Sequence, residues 1–76
     1  MSLQYKINVL SALKKAGYTT YRIRKEKILS ESTVQKLRNN KPVSWENIEL
    51  LCNLLNCQPG DLLEFIEDNQ ENFFND

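Results

Sequence analysis

The sequence lacks histidine, and its 76 residues include only two cysteines, two glycines and two prolines. Without histidine the chain has neither the commonest general base nor the commonest metal ligand. Cys52 and Cys57 are not spaced as a CxxC pair, and no second pair completes a zinc site. We therefore expect two core thiols, with a disulfide or redox role as the weaker alternative, and neither metal nor cofactor. No phosphate-binding glycine loop, GxSxG turn or paired-carboxylate signature is present, which argues against an enzyme.

Long apolar runs are also missing, because no stretch approaches the roughly 20 residues of a membrane-spanning helix. The first residues lack the basic start and apolar stretch of a secretory signal. We therefore expect a cytoplasmic protein that does not bind membranes. The length allows one domain, which we place at residues 1–67, followed by an acidic tail at residues 68–76.

The charges are strongly separated along the chain, although the formal net charge is zero. Residues 1–41 hold all ten Lys and Arg residues and only two acids, Glu26 and Glu31, for a net charge of +8. Residues 42–76 hold eight acids and no Lys or Arg, for a net charge of −8. Such asymmetry indicates a part that binds a polyanion beside an acidic part. The alternative is a solvated surface whose two halves attract each other.

Apolar spacing and caps predict five helices and no strand, which makes the expected fold all-α. The predicted helices cover residues 3–16, 20–27 and 31–38, then a fourth capped by Ser44 and a fifth that opens around Pro59. Gly17 is expected to end the first helix and Ser30 to cap the third. Five aromatic residues are expected in the core or at its rim, namely Tyr5, Tyr18, Tyr21, Trp45 and Phe65. The residues predicted to face inward are Leu3, Ile7, Leu10, Leu13, Ile23, Val34, Leu37, Trp45, Ile48, Leu51, Cys52, Leu54, Leu55, Leu62, Leu63 and Ile66.

A capped helix that ends at Asn39-Asn40 is followed by Pro42, a leucine-rich helix over residues 45–55 and the ending Leu-Asn-Cys-Gln-Pro-Gly-Asp-Leu-Leu. Together with residues 20–23, this series resembles the Cro and phage-repressor type of helix-turn-helix domain over residues 5–67. The resemblance implies a five-helix domain that binds double-stranded DNA as a small bacterial or phage transcriptional regulator, with repression favoured over activation. A protein-interaction module on the same fold, such as an antitoxin-like partner binder, is the alternative function.

Two residues depart from the pattern of this family. Arg24 stands where a small residue usually lies between the second and third helices. Ile28 stands where the turn usually has glycine, and a β-branched residue is a poor choice for positive φ. We therefore expect the second helix or the turn to end differently from the family pattern.

The outward face of the third helix is predicted from the position of Val34 and Leu37, which should point inward. In this motif the N-terminal end of that helix enters the major groove. The predicted base-reading residues are Glu31, Ser32, Gln35, Lys36 and Asn39. The predicted phosphate contacts are Thr20, Arg22, Thr33, Arg38, Asn40 and Lys41.

A homodimer is a further expectation, since helix-turn-helix dimers read two half-sites about one helical turn apart. Phe65 lies off the predicted inward direction of the fifth helix, and Phe73 and Phe74 follow in the tail. We expect these three side chains to form the dimer contact. The alternative is that Phe65 completes the core and the tail is disordered.

Overall fold

Side-chain caps begin the first four helices of the computed structural model, which describes residues 2–67. In each cap a side-chain oxygen accepts a hydrogen bond from the backbone N–H three residues later, at distances of 3.0 to 3.2 Å. These bonds satisfy N–H groups that have no partner within the helix. The cap residues are Asn8, Thr19, Ser30 and Ser44. The helices are α1 (Val9–Lys15), α2 (Thr20–Lys25), α3 (Glu31–Arg38) and α4 (Trp45–Leu55).

Left-handed residues follow each of these helices and turn the chain toward the next one. Their φ angles are +97° at Gly17, +54° at Lys27, +58° at Asn40 and +52° at Asn56. A fifth helix, α5 (Pro59–Leu62), begins with proline at its first position, where the missing N–H costs no hydrogen bond. The predicted roles of Gly17, Ser30, Ser44 and Pro59 are confirmed, as are the bounds of the third helix.

The prediction of a mostly helical chain with five helices holds, but the expectation of no strand is wrong, because two short strands form an antiparallel sheet. Strand β1 (Ser2–Tyr5) pairs with β2 (Leu63–Ile66), with Leu3 opposite Phe65 and Tyr5 opposite Leu63. The first helix was expected over residues 3–16, but the chain is extended before the Asn8 cap. The described residues are thus mostly helical, with a two-stranded sheet that joins the first and last elements.

The core lies where the helices meet. It contains Leu13 from α1, Ile23 from α2, Val34 from α3, Leu51 from α4 and Leu62 from α5, all essentially inaccessible to solvent. Val9, Leu29 and Leu37 complete the buried cluster. No helix within residues 2–67 is long and apolar enough to cross a membrane.

Several residues predicted to face inward lie at the surface instead. Leu3 is 66% exposed and Trp45 is 86% exposed, and Ile7 and Ile66 are also exposed. The expectation that the aromatics are in the core or at its rim is therefore wrong for Trp45, Tyr21 and Phe65. Strand pairing explains part of this result, because Leu3 and Ile66 belong to the sheet rather than to helices.

Candidate nucleic-acid interface

The turn between α2 and α3 places its left-handed residue at Lys27 rather than at Ile28. Helix α2 therefore ends at Lys25, before the predicted end at residue 27. The Ile28 N–H then donates to the Ile23 carbonyl at 3.0 Å, and Ile28 packs against the core without adopting positive φ. The unbranched Lys27 adopts the positive φ instead, and both helices of the pair form although the turn has no glycine.

Helix α3 buries one side and exposes the other. Val34 and Leu37 are in the core. The five residues predicted to read bases are all exposed, at the beginning, middle and end of this helix. They are Glu31, Ser32, Gln35, Lys36 and Asn39.

Thr33 is a correction to the predicted phosphate contacts, because its side chain is only 6% exposed. Its Oγ1 lies 2.9 Å from Ser30 Oγ and accepts a hydrogen bond from Asn47 Nδ2 at 3.2 Å. The hydroxyl therefore faces the contact between α3 and α4 and is not available to a phosphate. Its role in the structure is to hold α3 in place.

The other predicted phosphate contacts lie around both helices. Thr20 is half-buried at the start of α2, whereas Arg38, Asn40 and Lys41 are exposed at and beyond the end of α3. The Lys41 carbonyl accepts a 2.6 Å hydrogen bond from the hydroxyl of Tyr5, whose pKa is raised by burial. This bond fixes the backbone next to Lys41 to strand β1, which positions the loop after α3.

Arg22 is exposed but already has several partners. Its Nε donates to Glu26 at 2.8 Å, and its Nη1 donates to the Gly17 carbonyl at 3.1 Å. The guanidinium also lies 4.9 Å from the centre of the Tyr18 ring. The hydrogen bond to Glu26 raises the pKa of Arg22. Arg22 thus connects the end of α1 to α2 while half of its side chain remains accessible.

Arg24 reaches from α2 to the first residue of α3. Its Nη2 donates to Glu31 Oε1 at 2.9 Å, and both side chains are about half exposed. Hydrogen bonding to Arg24 lowers the pKa of the Glu31 carboxyl, and the Gln35 side chain and the Arg38 charge act in the same direction. This ion pair was not predicted from the sequence, although Glu31 begins a helix and Arg24 departs from the family pattern.

The charge of the helix pair is strongly positive. Residues 20–41 contain seven cations, of which Arg22 and Arg24 pair with the only two acids of that segment, Glu26 and Glu31. The remaining five cations are exposed. They are Lys25, Lys27, Lys36, Arg38 and Lys41. An exposed basic surface around α3 suits the polyanionic DNA backbone.

The two cysteines do not form a disulfide. Both thiols are half-buried and pack against the core, and burial raises the pKa of Cys57. A raised pKa keeps the thiol protonated near neutral pH, as in an unreactive structural cysteine. Residues 2–67 also contain no group of three or more His, Cys, Asp or Glu side chains that could hold a metal ion.

Comparisons with known proteins agree with this geometry. The family described as a Cro/C1-type HTH DNA-binding domain matches residues 6–68. The uncharacterized HTH-type transcriptional regulator YozG of Bacillus subtilis (strain 168) is 29% identical over 73 residues, which cover 96% of this chain and 87% of that protein. No solved structure matches the chain. With the matching segment spanning all five helices, the chain belongs to the Cro/C1-type family of helix-turn-helix DNA-binding domains and is a DNA-binding transcriptional regulator.

Proposed function

We propose that this regulator is a cytoplasmic repressor that acts by occupying an operator rather than by catalysis. In the proposed complex α3 lies in the major groove and hinders RNA polymerase. The strongest support is the exposed polar face of α3, which can offer donors and acceptors to base edges along its length. Glutamine suits adenine, lysine suits guanine, and glutamate can accept from cytosine N4. We assign base reading to Glu31, Ser32, Gln35, Lys36 and Asn39.

Phosphate contacts would hold the protein in register on the duplex. We assign these contacts to the exposed residues that flank the reading face, with Thr33 removed because its hydroxyl is buried. The loop after α3 is well suited, since the Tyr5 hydroxyl fixes its backbone at Lys41. The assigned residues are Thr20, Arg22, Arg38, Asn40 and Lys41.

We also propose that the protein binds DNA as a homodimer. Leu3 and Phe65 are paired across the sheet, so their side chains share the face that carries Tyr5 and Leu63. Tyr5 and Leu63 pack against the core, but Leu3 is 66% exposed and Phe65 is 59% exposed. One face of the sheet therefore packs on the core at Tyr5 and Leu63 and is open to solvent at Leu3 and Phe65.

Trp45 lies near the exposed end of this sheet face. It borders a groove of about 560 Å³ that Leu3, Ile48 and Leu63 also line. We call Leu3, Trp45, Ile48, Leu63 and Phe65 the apolar edge. A large exposed apolar patch is typical of an interaction site. Its proposed occupant is the apolar edge of a second copy, because two-fold pairing brings the same patches together and supplies a second reading helix. Phe73 and Phe74 lie outside the described residues, and their part in the dimer stays a prediction.

Selection of bound duplexes from random sequence tests operator recognition directly. We expect an enriched motif with two inverted half-sites. Binding to that motif should weaken steeply with salt, since each phosphate contact adds about 0.9 to the log–log slope. A folded sample that enriches no motif at low salt would refute sequence-specific binding and favour the protein-interaction alternative.

A further inference from the structure

Arg24 and Glu31 form an ion pair that joins α2 to α3. Of the two ion pairs described above, it is the one in which a cation of α2 reaches the exposed face of α3. The pair between Arg22 and Glu26 joins α2 only to the residue that follows its last turn. Arg24 is not needed to fill the core, because its side chain is half exposed. Its side chain therefore belongs to the surface that α2 and α3 form together and not to the core.

Glu31 presents a problem for a DNA-binding surface. It is the first residue of α3, the end that enters the major groove in this motif. A carboxylate there repels phosphates, and an unrestrained Glu side chain can point away from the bases. The Arg24 guanidinium offsets that charge and holds Oε1 at 2.9 Å, and a carboxylate has enough lone pairs to accept further hydrogen bonds beside this one.

The Arg24–Glu31 pair lies at an open part of the surface that a ligand can reach. Arg24, Glu31 and Lys27 line an open hollow between α2 and α3, together with Ser30. The Gln35 side chain lies one turn along α3 on the same side and also interacts with the Glu31 carboxyl. Arg24, Glu31 and Gln35 therefore form a connected polar row that begins on α2 and continues to the middle of α3.

We propose that Arg24 is a positioning residue that determines specificity: it holds Glu31 so that the carboxylate accepts a hydrogen bond from cytosine N4 in the major groove. The inference rests on the proposed reading role of α3. Glu31 touches the base, and Arg24 acts through Glu31. Preference for cytosine at one base pair of each half-site is thus a property of the pair rather than of Glu31 alone.

The test is a double-mutant cycle on the motif obtained by selection, with every base pair varied in turn. We expect Glu31→Ala to lower the preference for cytosine at one base pair about five- to tenfold. Arg24→Ala should lower the preference at the same base pair, and it should have no further effect on that preference when residue 31 is already alanine. Arg24→Lys should restore part of it, since Lys keeps the charge without the planar fork.

Lys25→Ala is the matched control, because it removes one positive charge from the same helix without touching Glu31. Lys25 instead lies over the Tyr21 ring, at 5.7 Å from its centre. This variant should weaken binding to all duplexes and leave the base preference unchanged. If Arg24→Ala behaves in the same way, Arg24 contributes only charge and the proposal is overturned.

Two further outcomes also overturn it. If Arg24→Ala changes base preference equally with and without Glu31, Arg24 reads a base directly. If Glu31→Ala alters no base preference, Glu31 is not a reader and Arg24 has nothing to position. Gln35→Ala separates that last result from failure of the reading helix as a whole, because loss of preference at its own base pair would still assign reading to α3.

Discussion

Asn47 on α4 donates a hydrogen bond from Nδ2 to Oγ1 of Thr33 on α3, at 3.2 Å. Ser30, which caps α3, lies 2.9 Å from the same hydroxyl. Residues 30, 33 and 47 thus connect the beginning of α3 to α4. Because the network is partly buried, losing one member leaves a polar group without its partner, which costs more than the hydrogen bond contributes. The orientation of α3 therefore depends on polar contacts as well as on Val34 and Leu37.

Thr33→Val should destabilise the protein by about 1–3 kcal/mol, because it removes the acceptor for Asn47 and keeps the side-chain shape. Urea unfolding followed by circular dichroism measures the difference. Ser32→Ala is the control, since Ser32 is an exposed hydroxyl that lies 3.1 Å from the same Ser30 side chain. It should change the free energy of unfolding by less than about 0.5 kcal/mol. Equal effects of the two substitutions would contradict the structural role given to Thr33.

The helices could be predicted from sequence because their signals are local. Ser30 and Ser44 cap within three residues, and Gly17 and Pro59 act at the position where they stand. The strands could not be identified in the same way, since a four-residue strand depends on a partner about 60 residues away in the chain. A local hint did exist in the alternation of Leu3, Tyr5 and Ile7 with polar residues. The three- and four-residue spacing of Leu3, Ile7, Leu10 and Leu13 favoured a longer first helix instead.

Gln35→Ala and Lys41→Ala should separate base reading from backbone contact. Gln35 projects from the middle of the exposed face of α3, whereas Lys41 lies in the loop beyond it. Gln35→Ala should relax preference at one or two base pairs by roughly 1–3 kcal/mol if its contact is bidentate. Lys36→Ala should do the same with an added loss of charge.

Lys41→Ala should instead weaken binding to all sequences about equally and lower the salt slope by roughly one. The measurements are dissociation constants on the selected site and on scrambled DNA at several salt concentrations. Unchanged specificity ratios for both Gln35→Ala and Lys36→Ala would mean that α3 is not the reading element.

The apolar edge gives a prediction about assembly. Leu3→Ser and Phe65→Ser should each weaken the homodimer roughly tenfold, because central apolar side chains supply much of the energy of an interface. Both residues are exposed, so the fold should survive. Sedimentation velocity over a range of concentrations measures the dimer, with Tyr21→Ser as a control at an exposed aromatic outside the apolar edge.

Phe73→Ser and Phe74→Ser extend the same measurement to the tail. A weaker dimer in these variants would support their predicted contact. A wild-type protein that sediments as a monomer, both free and on a full-length site, would rule the dimer out.

The candidate reading face could be predicted from sequence because helical periodicity relates it to Val34 and Leu37. The hydrogen-bond and ion-pair partners that each polar side chain has within the protein could not be predicted. Thr33 lies between the exposed and buried sides of α3, and its hydroxyl is directed by its contacts with Ser30 and Asn47. The Arg24–Glu31 contact depends on how α2 and α3 are placed relative to each other, across a turn whose left-handed residue is Lys27.

The Arg24–Glu31 pair also predicts a pH dependence of stability. Arg24 lowers the folded-state pKa of Glu31 from its ordinary value of 4.5. A carboxyl with a lowered pKa stabilises the fold above its unfolded-state pKa, and that contribution is lost as the pH falls through the folded-state value. The melting temperature of Arg24→Ala should therefore lie below that of the wild type near pH 6, and the difference should shrink toward about pH 3. Because the pair is exposed, the difference should be small and should decrease with added salt.

In a Glu31→Gln background, Arg24→Ala should give a difference in melting temperature that does not vary over this pH range, since the titrating group is absent. A wild-type advantage that persists unchanged at low pH would mean that Arg24 stabilises the fold through contacts other than the carboxylate of Glu31.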